Sequence, residues 1–155
     1  TGYSPHTVEP THPDFGFYGI HGVETLYTLL GTGCEAVSRI HSPMGDIVSG
    51  RWNDGRLGTF RAVVKGPAVY GGTAFTEKGT VAAGGYAGYK VLLDEILRYF
   101  KSGASPVSKE ETLEIFTFMK ASNMSLERGG RTVMMDEAYA EGMKEARRLL
   151  EAYDE

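Results

Sequence analysis

The sequence predicts an α+β fold, a largely antiparallel open sheet with helices packed on one face. Three observations predict it. Strand-like stretches cluster between residues 35 and 83 and are joined by short turns. Helical periodicity lies on either side of that cluster instead of alternating with it. Glycine is also abundant, with 21 residues, roughly twice average usage. Many of these glycines fall in the strand-like stretches, where they suggest bulges or close backbone approach.

The elements follow in chain order. Residues 1–16 carry Pro5, Pro10 and Pro13 without periodicity and read as an extended N-terminal arm. Residues 17–155 read as one α+β domain. Within "FYGIHGVETLYTLLGTG", Ile20, Val23, Tyr27 and Leu30 recur at helical spacing over 17–30. Gly31 and Gly33 end that helix. "EAVSRIHS" alternates without revealing its inward face. "DIVSGRW" and "LGTFRAVV" flank Asn53-Asp54-Gly55, a strong hairpin signal. "AVYGGTAF" and "GTVAA" flank a second tight turn, Thr76–Gly79. Five strands joined by short turns predict antiparallel neighbours.

Three helices close the chain. "YKVLLDEILRYF" places Tyr89, Leu92, Leu93, Ile96 and Phe100 on one face, with Gly103 beyond its end. The next starts at a capping box, Ser108 with Glu111 three residues on. The last has Asp136 as its expected N-cap and a face of Tyr139, Met143, Ala146, Leu150 and Tyr153. These helices suffice for one sheet face. The other is expected to pair with a second copy through Trp52, Phe60, Val64 and Tyr70 or their neighbours in alternation, giving a homodimer or larger homo-oligomer.

Composition narrows the function classes. The net charge of −4 is spread along the chain with no basic stripe, which argues against nucleic acid and anionic membrane surfaces. No apolar run approaches the ~20 residues a membrane span needs. The single cysteine, Cys34, points to a reducing, cytoplasmic setting and carries no cysteine-hydrolase signature. No glycine-rich phosphate loop opens a helix after a strand, so the chain has no dinucleotide fingerprint of its own. It opens at Thr1 rather than Met and reads as the second domain of a longer two-domain protein.

The candidate chemistry centres on His21. On a helix, Tyr18, Glu24 and Thr25 fall beside it as a polar strip. Gly19 and Gly22 would let a ligand approach closely. An imidazole hydrogen-bonded to a carboxylate can serve as a general base near neutral pH. The alternative is a half-buried histidine satisfied by Glu24. The arm adds His6, Glu9, His12 and Asp14. With His21 these could form a mixed nitrogen–oxygen metal site, although their spacing fits no standard zinc pattern. Lys78, in the second turn, could meet an anionic substrate or simply mark a solvated hairpin tip.

"EPTHPDFGFYGIHGVETLYTLLGTG", "GRWNDGRLGTF", "YGGTAFTEKG" and "GYKVLLDEILRYFKSGASPVSKEETLEIFTFMKAS", in that order, resemble the second domain of the glucose-fructose oxidoreductase / inositol dehydrogenase / MocA-like family. The resemblance covers roughly residues 3 to 135. It implies an α+β substrate-binding and oligomerisation domain from an oxidoreductase of sugars or polyols. NAD or NADP would sit in an absent Rossmann domain, and no cofactor in this chain. The family's substrate-contacting histidine maps onto His21, which would accept a hydroxyl proton as hydride leaves. The family often places an aspartate four residues earlier. Here that position is Phe17, leaving Glu24 or Tyr18 as substitutes. The expected catalytic set is therefore His21, Glu24 and Tyr18, with His12, Glu9, Thr25 and Lys78 contacting substrate. Two other readings stay open. One is a stand-alone carbohydrate-binding or interaction module. The other is a metal-dependent lyase or hydratase of oxidised sugars using His6, Glu9, His12 and His21.

Overall fold

The computed structural model describes every residue except 8, 13, 86, 87, 154 and 155. Among these described residues, seven strands form one sheet and four α-helices accompany it. The strands are β1 (Gly2–Pro5), β2 (Cys34–Ser42), β3 (Gly45–Trp52), β4 (Leu57–Val63), β5 (Gly71–Thr76), β6 (Gly79–Ala83) and β7 (Val133–Met134). The helices are α1 (Gly19–Leu30), α2 (Lys90–Ser102), α3 (Lys109–Glu127) and α4 (Met135–Tyr153). The sheet order is β6-β5-β1-β4-β3-β2-β7. Its pairings are antiparallel except β1 with β4. The α+β fold with a mostly antiparallel sheet is therefore as the sequence predicts.

Both tight turns form. Gly55 takes φ 88° between β3 and β4, and Gly79 takes φ 130° between β5 and β6. Ser108 caps α3 by accepting the Glu111 N–H at 3.1 Å. Helix α4 starts at Met135, which places Asp136 in its first turn rather than at its N-cap.

The N-terminal segment is not a free arm. Gly2–Pro5 inserts between β4 and β5, parallel to one from Gly2↔Phe60 and antiparallel to the other at Gly2↔Gly72. Pro5 closes the strand, where a missing N–H does least harm, and the His6 N–H continues the pattern to the Val63 carbonyl at 2.9 Å. Pro13 lies outside the described residues.

Helices α1 and α3 cover one sheet face, and the core lies between. Val23, Leu26 and Tyr27 of α1 meet Val37, Val48, Trp52, Phe60 and Phe118, all fully buried. Trp52 and Phe60 thus face the helices, which corrects their expected place on the open face. Alternation fixes which residues share a face but not which face is covered. Gly50 and Gly58 decide it. A Cβ at Gly50 would lie 2.8 Å from Trp52, and one at Gly58 2.7 Å from the same ring, so the glycines make room for the indole under the helices. The open face instead carries Ile40, Ile47 and Leu57, with Phe75 on β5 also exposed.

Two helix faces also differ from expectation. Helix α2 buries none of its residues, and Tyr89, Leu92, Leu93, Ile96 and Phe100 are all exposed. Helix α4 buries Met135 and Ala138, whereas Tyr139, Met143, Leu150 and Tyr153 are exposed. An apolar stripe shows that a helix has a face to cover, not that this chain covers it.

Candidate functional site

Helix α1 turns one side to the core and the other to solvent. Gly19, Gly22, Val23, Leu26 and Tyr27 are buried, while His21, Glu24 and Thr28 are exposed. Gly22 sets how close α1 lies. A Cβ there would stand 2.2 Å from the Phe60 ring and 2.8 Å from Ser4 Oγ. Gly19 is packed against Phe15 in the same way, at 2.8 Å. These glycines therefore admit the sheet and Phe15, not a ligand, which corrects their expected role.

His21 rests on Glu24. Nδ1 lies 2.9 Å from Glu24 Oε2, and both side chains are half exposed. A carboxylate accepts, so Nδ1 donates this bond and Nε2 is the ring nitrogen left for a ligand. Thr25 donates back to the His21 carbonyl at 2.8 Å. His21, Tyr18 and Thr25 line a cleft of about 530 Å³ together with Tyr70, Gly71, Gly84, Gly85 and Tyr89. That volume suits a small-molecule ligand.

Sequence reasoning placed three of these lining residues at the site. Tyr70, expected on the open sheet face, directly precedes β5, and Tyr89, expected on a helix face, is the N-cap of α2; both line this cleft instead. The glycine pairs Gly71-Gly72 and Gly84-Gly85 flank the β5–β6 hairpin and were its visible signal. A Cβ at Gly71 would fall 2.5 Å from Tyr3 Oη and 2.7 Å from the Gly84 carbonyl, so this side of the cleft is bare backbone by necessity. The Tyr70 ring stands edge-on to His21 at 5.9 Å. Burial, and then neighbouring Tyr18, push the Tyr70 phenol above its usual range, so it remains a donor at neutral pH.

The remaining candidates lie elsewhere. Glu9 and His12 pair with each other, Nδ1 to Oε2 at 2.8 Å, and the His12 ring leans on Phe17 at 5.2 Å. Lys78 occupies the β5–β6 turn, where its N–H bonds Thr76 Oγ1 at 3.2 Å, and it is not among the residues lining the cleft.

His6 is buried and bonds Asp14 Oδ1 through Nε2 at 3.2 Å. Arg39 also binds Asp14, and it reaches Asp46 Oδ2 at 3.2 Å and Asn123 Oδ1 at 3.0 Å. His41 meets Asp46 at 2.6 Å. Burial alone would raise the Asp14 carboxyl, but the bonds from His6 and Arg39 and the guanidinium charge outweigh it and hold the pKa at about 2. The metal set His6, Glu9, His12 and His21 is thus split among three separate carboxylate pairs. No group of three or more ligating side chains is arranged for a metal among the described residues. Cys34 is buried, which pushes its thiol up to about 12 and leaves it a poor nucleophile.

No protein-family model matches the chain, and no curated protein sequence matches it. Among solved structures it is similar to a "probable dehydrogenase" from Thermotoga maritima, at 17% identity and a TM-score of 0.52. The match covers 88% of this chain and 56% of that protein, so the chain spans little more than half its length. The likeness is one of fold. No helix among the described residues is long and apolar enough to cross a membrane.

Proposed function

We propose that this chain is the substrate-binding domain of an NAD(P)-dependent oxidoreductase of sugars or polyols. One observation carries the proposal: His21, hydrogen-bonded to Glu24, lines a cleft walled by tyrosines and bare glycine backbone. Such a cleft offers ring faces to a sugar's C–H surface and polar edges to its hydroxyls. The dehydrogenase-like fold and the family resemblance of the sequence support the same proposal.

Among the described residues lining the cleft, none is a lysine or arginine that would oppose a diphosphate's charge. In this proposal the nicotinamide therefore belongs to another domain, where it supplies the hydride acceptor. The residues of this chain orient the sugar and take up the hydroxyl proton at His21 Nε2, with Glu24 stabilising the imidazolium. Self-association through the open sheet face is part of the same proposal, with Ile40, Ile47 and Leu57 as contacts in place of Trp52 and Phe60.

Saturation-transfer NMR with glucose and myo-inositol tests the substrate class. Transfer to at least one of them is expected, reduced about tenfold or more in His21→Ala, the scale for removing a hydrogen bond to an imidazole–carboxylate pair. Absence of transfer, or transfer indifferent to His21, overturns the proposal.

A further inference from the structure

The cleft does not end at Tyr18. A continuous run of rings leads out of it along the surface. Tyr70 stands edge-on to His21 at 5.9 Å, His21 edge-on to Tyr18 at 6.4 Å and Tyr18 edge-on to Phe17 at 4.6 Å, while Phe17 lies tilted against His12 at 5.2 Å. Phe17 is 36% exposed and Tyr18 39%, so these rings are accessible rather than core. Each step is comparable to the length of one pyranose ring.

The polar groups along this run repeat. Its inner part has His21 Nδ1 on Glu24 Oε2 at 2.9 Å, and its outer end has His12 Nδ1 on Glu9 Oε2 at 2.8 Å. Both pairs are three residues apart in sequence and both imidazoles are about half exposed. The outer pair is held further by Thr11, whose N–H lies 3.0 Å from Glu9 Oε2 and whose hydroxyl bonds the same oxygen. In each pair Nδ1 donates to the carboxylate, and Nε2 is the ring nitrogen left to meet a ligand hydroxyl. Two such polar ends separated by Phe17 and Tyr18 match a ligand with two hydroxylated rings and apolar faces between them.

We infer that Phe17, His12 and Glu9 form a second sugar subsite, so that the ligand is a disaccharide or a longer glycoside whose inner ring lies against His21. The inference rests on the proposed sugar cleft and extends it. It also gives Phe17, exposed between Tyr18 and His12, a role as an aromatic platform.

The test follows the four imidazole Cε1–H resonances of the full chain by NMR, with His12 and His21 assigned from His12→Gln and His21→Gln. The probes are glucose, cellobiose, maltose and lactose. Glucose is expected to move the His21 resonance alone. At least one disaccharide is expected to move both His21 and His12, with a dissociation constant about three- to tenfold below that of glucose, the scale of one aromatic ring contact. In Phe17→Ala the ratio of the two constants should fall towards one. If every disaccharide moves only His21 and binds no tighter than glucose, the second subsite is overturned while the sugar cleft stands. If neither these sugars nor myo-inositol moves His21, both fall. A ratio that persists in Phe17→Ala also overturns the subsite.

Discussion

Asp14 shows how single side chains hold the entry to α1. It lies in the 3-10 turn Asp14–Gly16, just before the helix, and is gripped by His6 and Arg39, while the Arg39 guanidinium sits 4.1 Å over the Phe15 ring. Its pKa is lowered from 3.8 to about 2. A lowered carboxyl stabilises the fold fully above its unfolded-state value and loses that contribution as pH falls through the folded one. The thermal midpoint should therefore drop between about pH 4 and pH 2. Asp14→Asn should remove that component and cost about 3 kcal/mol at neutral pH by leaving Arg39 under-paired, as denaturant titrations at several pH values would show. A wild-type slope matched by the variant would mean that other carboxylates govern the acid transition. At this scale the sequence was partly legible. The spacing of His21 and Glu24 announced their pairing because a helix brings residues three apart together. Tyr70 could not be read the same way, since its meeting with His21 depends on where the sheet carries a hairpin.

Helix α1 illustrates what a glycine decides for an element. Gly22 faces Phe60 and Ser4, both fully buried, so Gly22→Ala should destabilise the protein by about 1–3 kcal/mol through overpacking. Gly142, inside α4 with no atom within 4 Å of an added Cβ, gives the opposite case. Gly142→Ala should be neutral or stabilise by up to about 1 kcal/mol, from helix propensity alone. Urea unfolding of the two variants measures the contrast, and equal effects would show that close approach of α1 to the sheet is not what Gly22 provides. Turns and caps were legible in the sequence because their chemistry is local: Asn53-Asp54-Gly55, Thr76–Gly79 and Ser108 all act within four residues. The inward parity of β3 and β4 was not, because Trp52 and Arg51 alternate equally well on either face. Strand β7 is only two residues long and carries no periodic signal.

Among the described residues, apolar side chains stay exposed on the open sheet face, on helix α2 and along helix α4. Leu57 is 76% exposed on the sheet face. If two copies pair there, sedimentation equilibrium at tens of micromolar should give a dimer, and Leu57→Glu should shift it to monomer without lowering stability. A wild-type monomer would remove the sheet face from consideration. Helix α2 was legible as an amphipathic helix but not as an unburied one, since periodicity says nothing about the partner. Strand β1 escaped sequence reading for a related reason: four residues beside prolines look like loop, and their partners lie far along the chain. Its position also bears on the order of assembly. The β2–β3–β4 meander can zip locally through short turns, and so can the β5–β6 hairpin, but the two pieces are neighbours only through Gly2–Pro5. Loop closure between the first residues and both Phe60 and Gly72 must precede that junction. The wall that carries Tyr70 thus depends on the chain's first strand for its place in the sheet beside the helix that carries His21.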